Sequence, residues 1–249
     1  MKSNLPAFLI PFVLSVSYSL FHTSLAAADA ADSPTPKLGP DGKIEVHFLE
    51  MHESFIRRGQ EAPVGLLFLG DSITEGWHWD DNWQIFKRHF GDYMPANFGI
   101  SGDLTQHVLW RIDYGEIDHI TPKVVVLLIG TNNIGYLAPD ILKGDQKIVA
   151  EIHQKLPNTK VLVLGIFPRG ADPHDTNTAE MRDKIKFVNA GLAKLDDGDK
   201  TRFLDIGNNF LKPDGVLPKD IMPDALHPNH AGYEIWAHAI QPLVDEIMK

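Results

Sequence analysis

Short apolar runs ending in glycine alternate along this chain with stretches of helical periodicity. Val64 to Leu69 is an apolar run closed by Gly70, and Ala96 to Ile100 is strand-like around Gly99. Val124 to Ile129 is wholly apolar and ends at Gly130; Val161 to Leu164 ends at Gly165; Arg202 to Ile206 makes a fifth run. Between them the spacing of apolar residues predicts helices. Phe48, Leu49, Met51 and Phe55 mark one over 46–56, and further helices are predicted over 83–90 and 105–112. Ile141, Leu142, Ile148 and Ile152 mark one over 139–156, and Met181, Ile185, Val188 and Leu192 one over 178–195. A closing helix is predicted over 230–248. Strands apolar at every position are buried on both faces. Strands alternating with helices imply right-handed crossovers and a parallel sheet. The pattern predicts one three-layer α/β domain with a parallel sheet of about five strands.

The ends of the chain modify this picture. Lys2 precedes a nearly continuous apolar or small stretch, Leu5 to Leu20, and Ala26 to Ala30 offers small-x-small cleavage sites. Residues 1–30 therefore read as a signal peptide that is removed, which implies a secreted or periplasmic protein with no stable membrane insertion after cleavage. Residues 31–45, rich in Ala, Asp, Ser and Pro, read as a linker, and 46–249 as a single domain. The 249 residues are 43% hydrophobic, enough for one substantial core. A net charge of −10 and no Lys/Arg cluster exclude a nucleic-acid partner. Cysteine is absent, so no disulfide, cysteine-ligated metal or thiol nucleophile is available.

In an open parallel sheet, functional groups collect beyond the carboxyl ends of the strands. Three such ends carry polar residues: Gly70-Asp71-Ser72, Gly99-Ile100-Ser101-Gly102-Asp103 and Gly130-Thr131-Asn132-Asn133. Ser72 with Glu75 three residues on fits a capping box. A hydroxyl at a helix start is also placed for nucleophilic attack, because the helix N–H groups favour developing negative charge. It would need a base, and the base an orienting group. The chain has 12 histidines, so a single one means little. The segment "MPDALHPNHAGY", 222–233, sets Asp224 three residues before His227 in a loop ahead of the last helix. These residues could equally be the ordinary lead-in of that helix. Asp224, His227 and His230 have ligand spacing, but no second acidic cluster or His-Glu-x-x-His helix accompanies them, and no metal or cofactor is expected. Gly102 can present a bare backbone N–H and Asn132 a side-chain amide to an oxyanion. Trp77, Trp79 and Trp83 could form a stacking wall for a substrate; Trp83 and Trp77 could equally pack the first helix on the sheet. No phosphate-cradling glycine loop follows a strand, which excludes the common nucleotide-binding motifs.

Together these blocks resemble the SGNH (GDSL) hydrolase family: Gly70-Asp71-Ser72, Gly102 in "NFGISGD", Asn132 in "GTNN", and Asp224 with His227 in "DALHP". Within it, Asn97 to Ile112, Val124 to Asn133 and Gly165 to Gly170 look similar to the catalytic-subunit branch of platelet-activating-factor acetylhydrolases. The resemblance implies a flavodoxin-like SGNH fold and a serine esterase. Ser72 would be nucleophile, His227 base and Asp224 its orienting acid. The oxyanion hole would comprise the Ser72 and Gly102 N–H groups and the Asn132 amide. Asp71, Trp77, Trp79 and Asn133 would be candidates to line the substrate, Asn133 standing where much of the family has Asp. The expected substrate is a small-molecule short-chain ester, acetyl above all, on a carbohydrate (an acetylated glycan), a lipid or an aryl group. A homodimer is the assembly that branch suggests. The rival reading is a catalytically silent SGNH-fold module that binds carbohydrate.

Overall fold

The computed structural model describes residues 30–249; the predicted signal segment, apart from Ala30, lies outside the described residues. Its centre is a five-stranded, wholly parallel sheet: β1 (Leu66–Gly70), β2 (Pro95–Gly99), β3 (Val124–Leu128), β4 (Lys160–Leu164) and β5 (Thr201–Leu204). The strand order is β2-β1-β3-β4-β5. The chain therefore steps from β1 outward to β2, returns past β1 to β3, and then winds on in the other direction. β1 sits at the point where the winding reverses. Its register pairs Gly70 with Gly99 on one side and with Leu128 on the other. The ends of three strands are thereby level.

Among the described residues seven helices flank the sheet: α1 (Val46–Glu61), α2 (Ser72–Glu75), α3 (Asn82–Phe90), α4 (Thr105–Asp113), α5 (Ala138–Lys155), α6 (Thr176–Leu192) and α7 (His230–Ile247). The strand side chains alternate between two apolar layers, as a pleated sheet covered on both faces requires. Leu67, Leu69, Val125, Leu127, Val161 and Val163 meet Phe48, Phe55, Leu109, Ile148 and Val188 of α1, α4, α5 and α6. Leu66, Phe68, Val124, Val126, Leu162 and Leu164 meet Ile85, Phe90, Tyr233, Trp236 and Ile240 of α3 and α7. Helix α1 runs to Glu61, beyond the predicted 46–56; residues 57–61 have no apolar side chain and none is buried, so no apolar stripe marks this last stretch in the sequence.

Residues 31–45 are not a free tether. Ala31 is buried and its carbonyl accepts the Thr105 hydroxyl at 2.7 Å. Lys37 Nζ donates to the Ser101 carbonyl at 2.5 Å and pairs with Glu45. Composition suggested a linker because small polar residues carry little periodicity; the polar groups are instead spent on fixed contacts with the domain. None of the helices among the described residues is long and apolar enough to cross a membrane.

Candidate active site

Beyond β1 the backbone turns at Asp71 into the single-turn helix α2, whose first residue is Ser72. The cap is Asp71, not Ser72: its Oδ1 accepts the Ile73 N–H at 2.9 Å. This leaves the Ser72 hydroxyl free of capping duty. Glu75, read from sequence as half of a capping box with Ser72, points to the neighbouring strand end. Its Oε2 accepts the Ser101 N–H at 2.6 Å and the Ser101 hydroxyl at 2.5 Å. Helix α2 lies directly on β2, so close that a Cβ on Gly99 would stand 2.2 Å from the Glu75 nitrogen. Glycine there is what lets the two turns touch.

The Ser72 side chain meets a segment 155 residues away. Its Oγ is 2.9 Å from His227 Nε2, and His227 Nδ1 is 2.6 Å from Asp224 Oδ2. The Asp224-to-His227 loop is tight, with Ala225 at φ 59°. Asp224 Oδ1 accepts the Leu226 and His227 N–H groups at 3.0 and 2.8 Å. Burial pushes the Asp224 carboxyl upward, but these N–H bonds and the imidazole outweigh it and hold the group below the usual carboxylate range. The carboxylate is thus kept charged. Asn229 caps α7 by accepting the Gly232 N–H at 3.2 Å, which sets the helix start just behind the loop. Tyr233, one turn on, donates to the Ile73 carbonyl at 2.7 Å and ties α7 to the helix that carries Ser72.

The other two strand ends supply donors. The Ser72 N–H opens a helix and so has no acceptor within it. Gly102 is at φ +75°, a backbone angle that favours glycine, and sits exposed on the rim. Asn132 Nδ2 donates to the Asp103 carbonyl at 2.9 Å, which orients the amide and leaves its second N–H uncommitted. Serine, glycine and asparagine therefore follow three adjacent strands at the reversal point of the sheet.

Three of the residues read as substrate-lining are buried. Trp77 is fully buried and packs on Phe86, Tyr233 and Trp236. Asn133 is fully buried; its Oδ1 accepts the Thr105 N–H and its Nδ2 donates to Gln106, both at 3.0 Å. It is a strut between the end of β3 and α4. Asp71 is buried under the turn, where desolvation, with help from nearby Asp103, raises its pKa to about 7. Trp79 stays with the site, its ring centroid 5.6 Å from that of His227. Trp83, read as either a wall or a packing residue, is 47% exposed. Sequence spacing cannot separate these cases because the short turn Gly76–His78 breaks the helical phase between Trp77 and Trp83.

Sequence reasoning missed the support beneath the rim. Arg111 is fully buried and donates to the carbonyls of Gly70 and Phe98, each at 3.1 Å. Its guanidinium also meets Glu116 at 2.6 Å and Asp103 at 3.0 Å. One side chain thus joins the ends of β1 and β2 to the residue after Gly102. Arg169, in the loop after β4, donates to the Thr131 carbonyl at 2.8 Å beside Asn132. A separate cavity of about 470 Å³ between α6 and β5, lined by Ile185, Asn189 and Phe203, contains none of the rim residues.

A doubly wound parallel sheet with a Ser–His–Asp relay at its reversal point is an arrangement for acyl transfer, used by esterases and peptidases alike; similarity to known proteins narrows it to the carboxylic ester hydrolases. The GDSL-like Lipase/Acylhydrolase family model matches residues 68–235, and the chain belongs to this family. It is 34% identical over 215 residues to the bovine platelet-activating factor acetylhydrolase IB subunit alpha1, covering 86% of this chain and 88% of that one. It is 32% identical over 229 residues to the chicken alpha2 subunit, covering 90% and 94%. The fold is shared with a GDSL-like lipase from Bacteroides thetaiotaomicron, at a TM-score of 0.65, 20% identity and coverage of 78% and 97%. It is also shared with Est24, a carbohydrate acetylesterase from Sinorhizobium meliloti, at a TM-score of 0.57, 21% identity and coverage of 74% and 99%.

Proposed function

We propose that this esterase removes short acyl groups, acetyl above all, through an acyl-enzyme on Ser72. The observation that carries the reading is the unbroken relay from Ser72 Oγ to His227 Nε2 and from His227 Nδ1 to Asp224. With the Nδ1–H hydrogen-bonded to Asp224, Nε2 is bare and accepts the Oγ proton as Oγ attacks the ester carbonyl. Asp224, held charged, stabilises the imidazolium that results. The tetrahedral oxyanion is met by the Ser72 and Gly102 N–H groups and the Asn132 amide. His227 then protonates the departing alcohol. Water repeats the sequence against the acyl-enzyme and releases the acid.

Acetyl is supported by the named activities of the acetylhydrolase relatives and of the carbohydrate acetylesterase with the same fold. Trp79 beside His227 gives an apolar face on which a sugar ring or aryl alcohol would stack. Export belongs to the same reading, and rests on Lys2 and the apolar stretch that follows it. The substrate would then be an acetylated carbohydrate, lipid or aryl ester met outside the cytoplasm.

The test is a panel of p-nitrophenyl esters of rising chain length, with acetylated sugars and a lipid acetyl ester, on the wild type and Ser72→Ala. Activity should peak at acetyl and fall by about 10⁴-fold or more in the variant. A fluorophosphonate should label Ser72 alone. A variant that keeps near-full activity sinks the nucleophile; a preference for long acyl chains sinks the acetyl reading. Absence of both turnover and labelling in the wild type would favour the silent binding module.

A further inference from the structure

We propose that His89, Glu234 and His238 form a zinc-class divalent cation site that staples α3 to α7. His89 stands near the end of α3, and Glu234 and His238 lie one turn apart on the facing side of α7. One ligand atom from each lies within 4.8 Å of the others. Glu234 Oε2 is 3.5 Å from His89 Nε2 and 3.7 Å from His238 Nδ1. A tetrahedron with bonds of about 2.0–2.1 Å has edges of about 3.4 Å, so these separations already suit one ion.

The chemistry around His89 points the same way. Gln241 Nε2 donates to the His89 carbonyl at 3.3 Å, which fixes its amide so that Oε1 faces the ring. That Oε1 lies 2.5 Å from His89 Nδ1 and accepts its proton. Nε2 is the ring nitrogen left for a further partner. It is buried, its side chain is only 8% exposed, and it makes no hydrogen bond. It faces a carboxylate oxygen 3.5 Å away. A cation between the two would bond to both. A ring N–H held by an amide oxygen is also how metal-bound histidines are oriented. Glu234 is oriented likewise: its Oε1 is held by Arg88, which leaves Oε2 to face His89. Arg88 is a competing positive charge and sets a limit on affinity. His238 is mostly exposed, and its Nδ1 donates to the Glu234 carbonyl at 2.8 Å. Ligation through Nδ1 exchanges that bond for the metal, with the ring proton moved to Nε2. Two imidazoles and one carboxylate, with a position left for water, suit zinc rather than the all-oxygen demands of calcium or magnesium.

The expectation of no metal considered only ligands close together in sequence. His89 is 145 or more residues from its two partners, a separation that only the packing of α3 on α7 removes. None of the three hydrogen-bonds to Ser72, Asp224 or His227 among the described residues, so the role is structural.

Calorimetric titration of metal-freed protein with zinc chloride tests this, with cobalt(II) absorption as the geometric readout. One ion per chain, a tetrahedral cobalt spectrum and a raised Tm are expected. His238→Ala, at an exposed position, and Glu234→Gln should each weaken binding by at least ~10-fold and abolish the Tm shift. Arg88→Gln should tighten binding. Absence of a one-to-one site overturns the proposal. So does binding that both His238→Ala and Glu234→Gln leave unchanged, since the zinc would then sit on other histidines.

Discussion

The residue scale is where the reacting groups are separated from those that merely sit near them. Ser72 and Asn132 each occupy the position after a strand where Asp71 and Asn133 could have stood instead. The difference is direction. Asp71 spends Oδ1 on the Ile73 N–H and Asn133 spends both ends of its amide on α4, whereas Ser72 Oγ is left for His227. Asn132 is oriented by the Asp103 carbonyl and retains one N–H. Asn132→Ala should therefore lower kcat by about 10²–10³ with little change in KM, because the lost bond strengthens only as the oxyanion forms. Steady-state kinetics on p-nitrophenyl acetate check it, and an unaltered kcat would remove Asn132 from the hole.

At the scale of elements, the rim depends on parts that never touch substrate. Glu75 holds the Ser101 turn, Tyr233 holds α7 against α2, and Arg111 holds the ends of β1 and β2 together. Arg111 lies between Glu116 and Asp103 with no solvent to replace it. Its substitution leaves two buried acidic groups facing backbone carbonyls. Arg111→Met should destabilise the fold by about 3–5 kcal/mol, read as a lower urea midpoint. Folded protein should show loss of kcat as well, because the Gly102 turn is freed. A variant as stable as the wild type would show that the pair contributes little. Strand and helix order was legible at this scale, since runs such as Val124 to Leu128 and the stripe Ile141, Ile148, Ile152 admit one reading. The 31–45 contacts and the Arg111 network were not legible, because a polar side chain has no periodicity to reveal what it will bond.

The whole molecule carries a pH signature from acids buried in its centre. Asp71 titrates near 7 in the fold, raised chiefly by burial, against about 3.9 in an unfolded chain. Asp145 is raised as well, by burial and by Asp71. For an acid whose folded pKa is raised, the native state keeps a proton that the unfolded state releases. The stability this gives is full below about pH 4, declines as pH climbs toward 7, and is gone above it. The loss from Asp71 is up to about 1.4 kcal/mol per pH unit in that window. Asp71→Asn keeps the acceptor for the Ile73 N–H and removes one titration. Urea unfolding from pH 4 to 8 should show a shallower decline in the variant and greater stability than wild type at pH 8. Parallel profiles for the two proteins would mean that Asp71 is not the titrating group.

Hydrophobic period and glycine punctuation were enough to determine the parallel α/β class, the order of its elements and the strand ends that bear polar residues. Both follow from local physics: a strand buried on two faces must be apolar throughout, and a chain turning at a strand end needs residues without bulk. What the sequence could not determine was which of those residues point at one another. Ser72 and His227 meet across 155 residues because β1 lies between β2 and β3, where the winding reverses, and because Asn229 and Tyr233 seat the start of α7 beside that edge. The same packing buries Trp77, turns Asn133 inward and brings His89 to Glu234. Those outcomes depend on crossing angles and register between distant segments, and no periodicity within one segment records them.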